Sequence, residues 1–189
     1  MKIKTFLIFV FLILTVYSCR ELKCDGFPDS ELKWIPYKIN DTIKYSNNND
    51  TIEFIVEQFY KSEPISERGG FFDWEIFCYI EAYYYTSKAK NDYQIKENCD
   101  NGNSMRIEIT ENDFFYFELY SRESFLDTIK LEYFEDTLIN SKSYKEVFLI
   151  TKDTIHYSPK IAWIIKASDK GIVEFYDFEL KKTWNLIDN

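Results

Sequence analysis

Histidine occurs once in this 189-residue chain and cysteine four times, so nucleophilic and metal chemistry have few places to sit. His156 precedes Tyr157-Ser158-Pro159. Alone it cannot build a multi-histidine metal site, and it needs a serine or cysteine partner for nucleophilic work. The chain has no G-x-S-x-G elbow, phosphate-binding loop, H-E-x-x-H, dinucleotide fingerprint or EF-hand loop. Asp100-Asn101-Gly102-Asn103 is rich in oxygen but lacks the alternating ligands and distal glutamate of a calcium loop, and reads as a turn. The cysteines lack zinc-ligand spacing. Glycosidase-type carboxylate pairs are made by the fold and are not legible in sequence. These residues point to no catalytic group, no metal and no cofactor.

Cys19 stands apart. Lys2 and Lys4 precede an uncharged apolar run from Phe6 to Val16, which suits an export signal and is too short to span a bilayer. Leu14-Thr15-Val16-Tyr17-Ser18-Cys19 resembles a lipobox, with Tyr17 bulkier than the usual occupant. The expectation is a signal over residues 1–18 and a diacylglycerol thioether on Cys19. Several acyl chains at about 0.8 kcal/mol per CH₂ would make that anchor effectively permanent. Arg20 follows the cysteine where an aspartate would argue for inner-membrane retention, so the outer membrane is expected, on either face. Export to an oxidising compartment lets Cys24, Cys78 and Cys99 form one pair. A hairpin turning around Ser87-Lys88-Ala89-Lys90 would oppose Cys78 and Cys99 at a separation a disulfide can bridge. The alternative is that Cys24 staples the tether to the domain.

The elements that must position these residues read as strands. Residues 19–30 form a short tether, and residues 31–189 read as a single β-rich domain large enough for one core. Trp74, Ile76, Cys78, Ile80, Ala82 and Tyr84 share one face, with Glu75 and Glu81 on the other. The same alternation recurs in Met105, Ile107 and Ile109 against Arg106 and Glu108; in Phe115, Phe117 and Leu119 against Glu118; and in Val173 and Phe175 against Glu174. Asn47-Asn48-Asn49-Asp50 and Asn101-Gly102 punctuate strands, and Ser168-Asp169-Lys170-Gly171 closes a hairpin of 161–167 with 172–177. The fold class is all-β: a single antiparallel meander of about ten strands forming a sandwich or incomplete barrel.

Asp-Thr-Ile or Asp-Thr-Leu occurs five times, with Thr42, Thr51, Thr128, Thr137 and Thr154 at its centre. A turn residue, a β-branched residue and a core residue describe how a chain leaves a turn and begins a strand. The tripeptide also resembles the O-glycosylation acceptor of exported Bacteroidota proteins, which implies a glycan on one or more of these threonines. Trp34-Ile35-Pro36-Tyr37 near the domain start and Gly171-Ile172-Val173-Glu174-Phe175 near its end carry a further resemblance, to the uncharacterised small lipoproteins of Bacteroidota with a W-x-P-Y opening and a closing G-I-V-x-F hairpin. That resemblance implies lineage and location and brings no activity.

Net charge is −9, and removing two signal lysines gives −11, which argues against nucleic acid. Aromatics make up 19%, a proportion that strand cores in an AT-rich genome explain more readily than a surface of sugar-stacking rings. The leading expectation is a non-catalytic envelope lipoprotein that binds another envelope protein or a glycan. Tyr79, Tyr83 and Tyr85 are the candidate binding rings, unless a second layer covers their face. The alternatives are a hydrolase of envelope polysaccharide or peptidoglycan, and a carrier of a small apolar ligand.

Overall fold

The computed structural model describes residues 24–187, except 69–75, 101–102 and 112. The expected signal, Cys19, Trp74, Glu75 and the Asn101-Gly102 turn lie outside the described residues. Strands dominate: β1 (Thr42–Ser46), β2 (Thr51–Lys61), β3 (Ile65–Arg68), β4 (Ile76–Tyr79), β5 (Glu81–Thr86), β6 (Lys96–Asp100), β7 (Ser104–Thr110), β8 (Asp113–Glu118), β9 (Ile129–Ile139), β10 (Lys142–Lys152), β11 (Ile161–Ala167), β12 (Gly171–Asp177) and β13 (Lys182–Leu186). All but β3 and β4 join one antiparallel sheet in the order β8-β7-β6-β5-β2-β1-β13-β12-β11-β10-β9. The sheet curls until β8 and β9 approach each other, making a nearly closed barrel. The expected meander is present, and of sandwich and barrel the chain forms the barrel.

Alternation explains the curl. Ile43 and Tyr45, Ile52, Phe54 and Val56, Ile107 and Ile109, and Phe115 and Phe117 all point into the barrel and are buried. Their intervening neighbours face out, as one-sided burial of an antiparallel sheet requires. The lumen is filled by the large buried side chains of Trp184, Tyr45, Tyr84, Tyr93, Phe54, Phe148 and Phe175. One end is plugged by the segment before β1, where Phe27, Trp34 and Ile35 join the core and the Trp34 ring lies 5.0 Å from Phe148. Lys33 fastens the plug, pairing with Glu146 at 2.8 Å while its carbonyl accepts the Asp169 N–H at 2.7 Å. The expected hairpin of 161–167 with 172–177 forms. Gly171 takes φ +72°, and a Cβ there would collide with the Tyr37 hydroxyl.

Two features depart from simple alternation. A bulge between Val56 and Gln58 shifts the register of β2 against β5. The extra residue turns Phe59 inward to the core and Tyr60 outward, 44% exposed. Val173 and Phe175, expected on one face, also separate. Phe175 belongs to the main core, while Val173 packs with Tyr144, Val147 and Ala167 in a second small cluster. The long β9–β10 hairpin brings this second layer, and Asn140 near its tip donates to Glu174 Oε2 at 2.7 Å. The hairpin tip therefore lies over part of the outer face of β12 and β13.

The disulfide differs from the favoured expectation. Cys24 and Cys78 are bonded, with Cα atoms 5.5 Å apart, and Cys99 is free and buried. This matches the alternative in which the tether is stapled to the domain. The reason lies in register. The β5–β6 connection runs from Ser87 to Ile95 through left-handed Asn91 and Asp92, so Cys99 faces Ala82. Cys78 belongs to β4, where it faces Ser66 of β3.

Candidate functional site

The outer face of β2 and β5–β8 carries a polar and aromatic surface built by cross-strand register. One row runs Tyr60 of β2, Tyr83 of β5, Asn98 of β6, Arg106 of β7 and Tyr116 of β8. The adjacent row runs Gln58, Tyr85, Lys96, Glu108 and Phe114. Directly opposed side chains on one face of a sheet lie close enough to interact. The Tyr60 and Tyr83 rings lie 5.3 Å apart, Tyr116 stacks on Phe125 at 4.9 Å, and the Arg106 guanidinium sits 4.3 Å above the Phe114 ring. Between the rows lies an open cavity of about 260 Å³ lined by Tyr83, Tyr85, Lys96, Asn98, Arg106 and Glu108.

Its polar groups are oriented by their neighbours. Asn98 Nδ2 donates to Glu81 Oε2 at 2.7 Å, which leaves its Oδ1 buried without a partner. Lys96 Nζ donates to Glu108 Oε1 at 3.4 Å, and Arg106 lies 3.8 Å from the other oxygen of the same carboxylate. Two cations therefore share one anion beside the rings. Tyr79 lies beyond the cavity in β4, its hydroxyl donating to Glu81 Oε2 at 2.9 Å. Burial first, then the Glu81 hydrogen bond, raises the pKa of that phenol. Of the three expected rings, Tyr83 and Tyr85 line one cavity and Tyr79 stands apart.

A second, larger cleft of about 620 Å³ lies at the barrel end opposite the disulfide. The β5–β6 connection supplies Lys88, Asp92 and Gln94, the β7–β8 turn supplies Thr110, Glu111 and Asp113, and the β10–β11 connection supplies Ser158, Pro159 and Lys160. Lys96 and Glu108 line it as well. Thr110 is 5% exposed, and its hydroxyl has no hydrogen-bond partner. Asp113 is held by Lys152 and accepts the Ile161 N–H at 2.9 Å.

The remaining expected residues are scattered. His156 is exposed and pairs only locally, its Nδ1 2.6 Å from Asp153 Oδ2. Thr42 and Thr51 open β1 and β2, and Thr128 directly precedes β9. Thr137 instead lies inside β9, and Thr154 in the turn after β10, so those two tripeptides do not begin strands. Their third residues, Leu138 and Ile155, are 73% and 87% exposed. Sequence alternation had set Arg106 and Glu108 on a polar face, but Tyr60, Lys96, Asn98 and Tyr116 were missed. The β2 bulge and the strand registers bring them together, and neither is written in composition.

Among the described residues no helix is long and apolar enough to cross a membrane, and no group of three or more His, Cys, Asp or Glu is placed to hold a metal. Compared with known proteins, the chain matches no family model, no curated sequence and no solved structure.

Proposed function

We propose that this protein is a lipid-anchored, non-catalytic module of the bacterial outer membrane, and that it binds a glycan on the outer face of β2 and β5–β8. The two cross-strand rows carry this reading. Tyr60, Tyr83, Tyr85 and Tyr116 offer ring faces, while Asn98, Lys96, Arg106 and Glu108 offer donors and acceptors between them. Aromatic surfaces with a few convergent polar groups are the usual makings of a binding site. The lipobox at Cys19 supports the anchor, and the likeness to Bacteroidota lipoproteins supports the location.

The test is binding of the mature protein to immobilised neutral polysaccharides, with Tyr83→Ala and Tyr85→Ala alongside. Retarded migration in a polysaccharide gel, lost in both variants while far-UV circular dichroism is unchanged, is the expected result. Equal migration of wild type and variants in every polysaccharide removes the proposal. The anchor is tested separately by metabolic labelling with palmitate, which Cys19→Ala should abolish.

A further inference from the structure

We infer that the ligand is a linear neutral glycan of several sugar units, lying across both the tyrosine surface and the cleft at the barrel end. This rests on the glycan-binding reading above and extends it from one site to two joined subsites. The junction is shared walls: Lys96 and Glu108 line the smaller cavity and the larger cleft alike. From Arg106 to Thr110 along β7 is about 13 Å at the rise of an antiparallel strand, a span that no single sugar ring covers.

Of five buried side-chain atoms without a hydrogen-bond partner among the described residues, one lies in each subsite. Asn98 Oδ1 lacks a donor beside Tyr83, and the hydroxyl of Thr110, a residue 5% exposed, lacks any partner in the cleft. A buried polar group left unpaired is costly, so a ligand group that pairs with it gains affinity. Sugar hydroxyls both donate and accept, so one polyol chain satisfies both atoms. Charge narrows the ligand further. The cleft mixes Lys88, Lys96 and Lys160 with Asp92, Glu108 and Glu111, while Asp113 is neutralised by Lys152. Neither sign prevails there, and the chain as a whole is at −9, so a polyanion is disfavoured and a neutral chain fits.

The deciding experiment uses full-length protein in detergent on arrays of neutral linear oligosaccharides, graded from one to six units in the glucose, mannose, xylose and N-acetylglucosamine series. Wild type is compared with Tyr83→Ala and Thr110→Val. Thr110→Val keeps the shape of a β-branched strand residue and removes only the unpaired hydroxyl, so it folds. The expected result is affinity that climbs with chain length in at least one series. Tyr83→Ala should weaken binding at every length, and Thr110→Val only for the longer chains, by about fivefold for one lost hydrogen bond. Affinity independent of length, or a Thr110→Val variant equal to wild type throughout, overturns the joined subsites and leaves the tyrosine surface standing. No binding at any length overturns both.

Discussion

Tyr45 and Tyr84 keep their hydroxyls inside the barrel, donating to the Ile172 carbonyl at 2.9 Å and to Glu97 Oε1 at 2.8 Å. Burial, with charged and phenolic neighbours, raises both pKa values well above the ordinary 10, and burial pushes the Cys99 thiol up to about 12. The unfolded chain releases these protons near pH 9 and 10, while the folded chain holds them. The stability they contribute is therefore whole below about pH 9 and lost as pH rises through the folded values. Alkaline titration should show tyrosinate absorbance rising together with loss of near-UV circular dichroism. A full tyrosinate rise with the fold intact would mean that these hydroxyls reach solvent. At this scale the sequence was partly legible. Ile43, Ile52 and Ile129 are buried core as their tripeptides implied, whereas Leu138 and Ile155 are exposed because the same three letters also fit an arm and a turn.

Strand identity was legible wherever a turn declared itself, as at Ser168–Gly171, where a glycine with φ +72° fixes the β11–β12 hairpin. Register was not legible across the nine residues between β5 and β6. Buried Tyr93 and Ile95 draw that connection inward, which moves Cys99 opposite Ala82 and sets Asn98 between Tyr83 and Arg106. Periodicity also places Lys166 without saying why a lysine is there. On β11 it reaches across the lumen to Glu97 on β6, and both side chains are fully buried. Burial lowers the Lys166 pKa, and the Glu97 carboxylate opposes that shift. β6 and β11 are far apart in the sheet, so the pair clamps opposite walls of a barrel whose β8–β9 seam is unladdered. Lys166→Met alone strands a buried carboxylate and should destabilise by about 3–5 kcal/mol. Adding Glu97→Gln removes that charge, keeps an acceptor for Tyr84, and should restore most of the loss. Urea unfolding of both variants measures this, and equal losses would show that the charge is not what matters.

Across the whole molecule, closure and attitude come from contacts that no local pattern announces. The Cys24–Cys78 bond closes a span of 54 residues and joins the tether to the β3–β4 end of the barrel. Chain entropy sets its worth at up to about 4 kcal/mol. If Cys19 carries the lipid, four residues lie between anchor and staple, and the five steps from Cys19 to Cys24 reach at most about 18 Å of extended chain. The disulfide end must then sit against the bilayer, and the cleft around Lys88, Thr110 and Lys160 must face away from it, where a glycan can enter. Fluorescent residues at Glu63, near the disulfide end, and at Lys88, at the cleft, would report this on protein reconstituted in vesicles carrying a lipid-borne quencher. Strong quenching at 63 and little at 88 is the expected pattern. Cys24→Ser lengthens the leash to the body of the domain, so the difference should shrink. The same substitution should lower stability by about 2–4 kcal/mol and abolish the response of the unfolding midpoint to dithiothreitol. Equal quenching at both sites in the wild type would detach orientation from the disulfide, even where the loss of stability is observed.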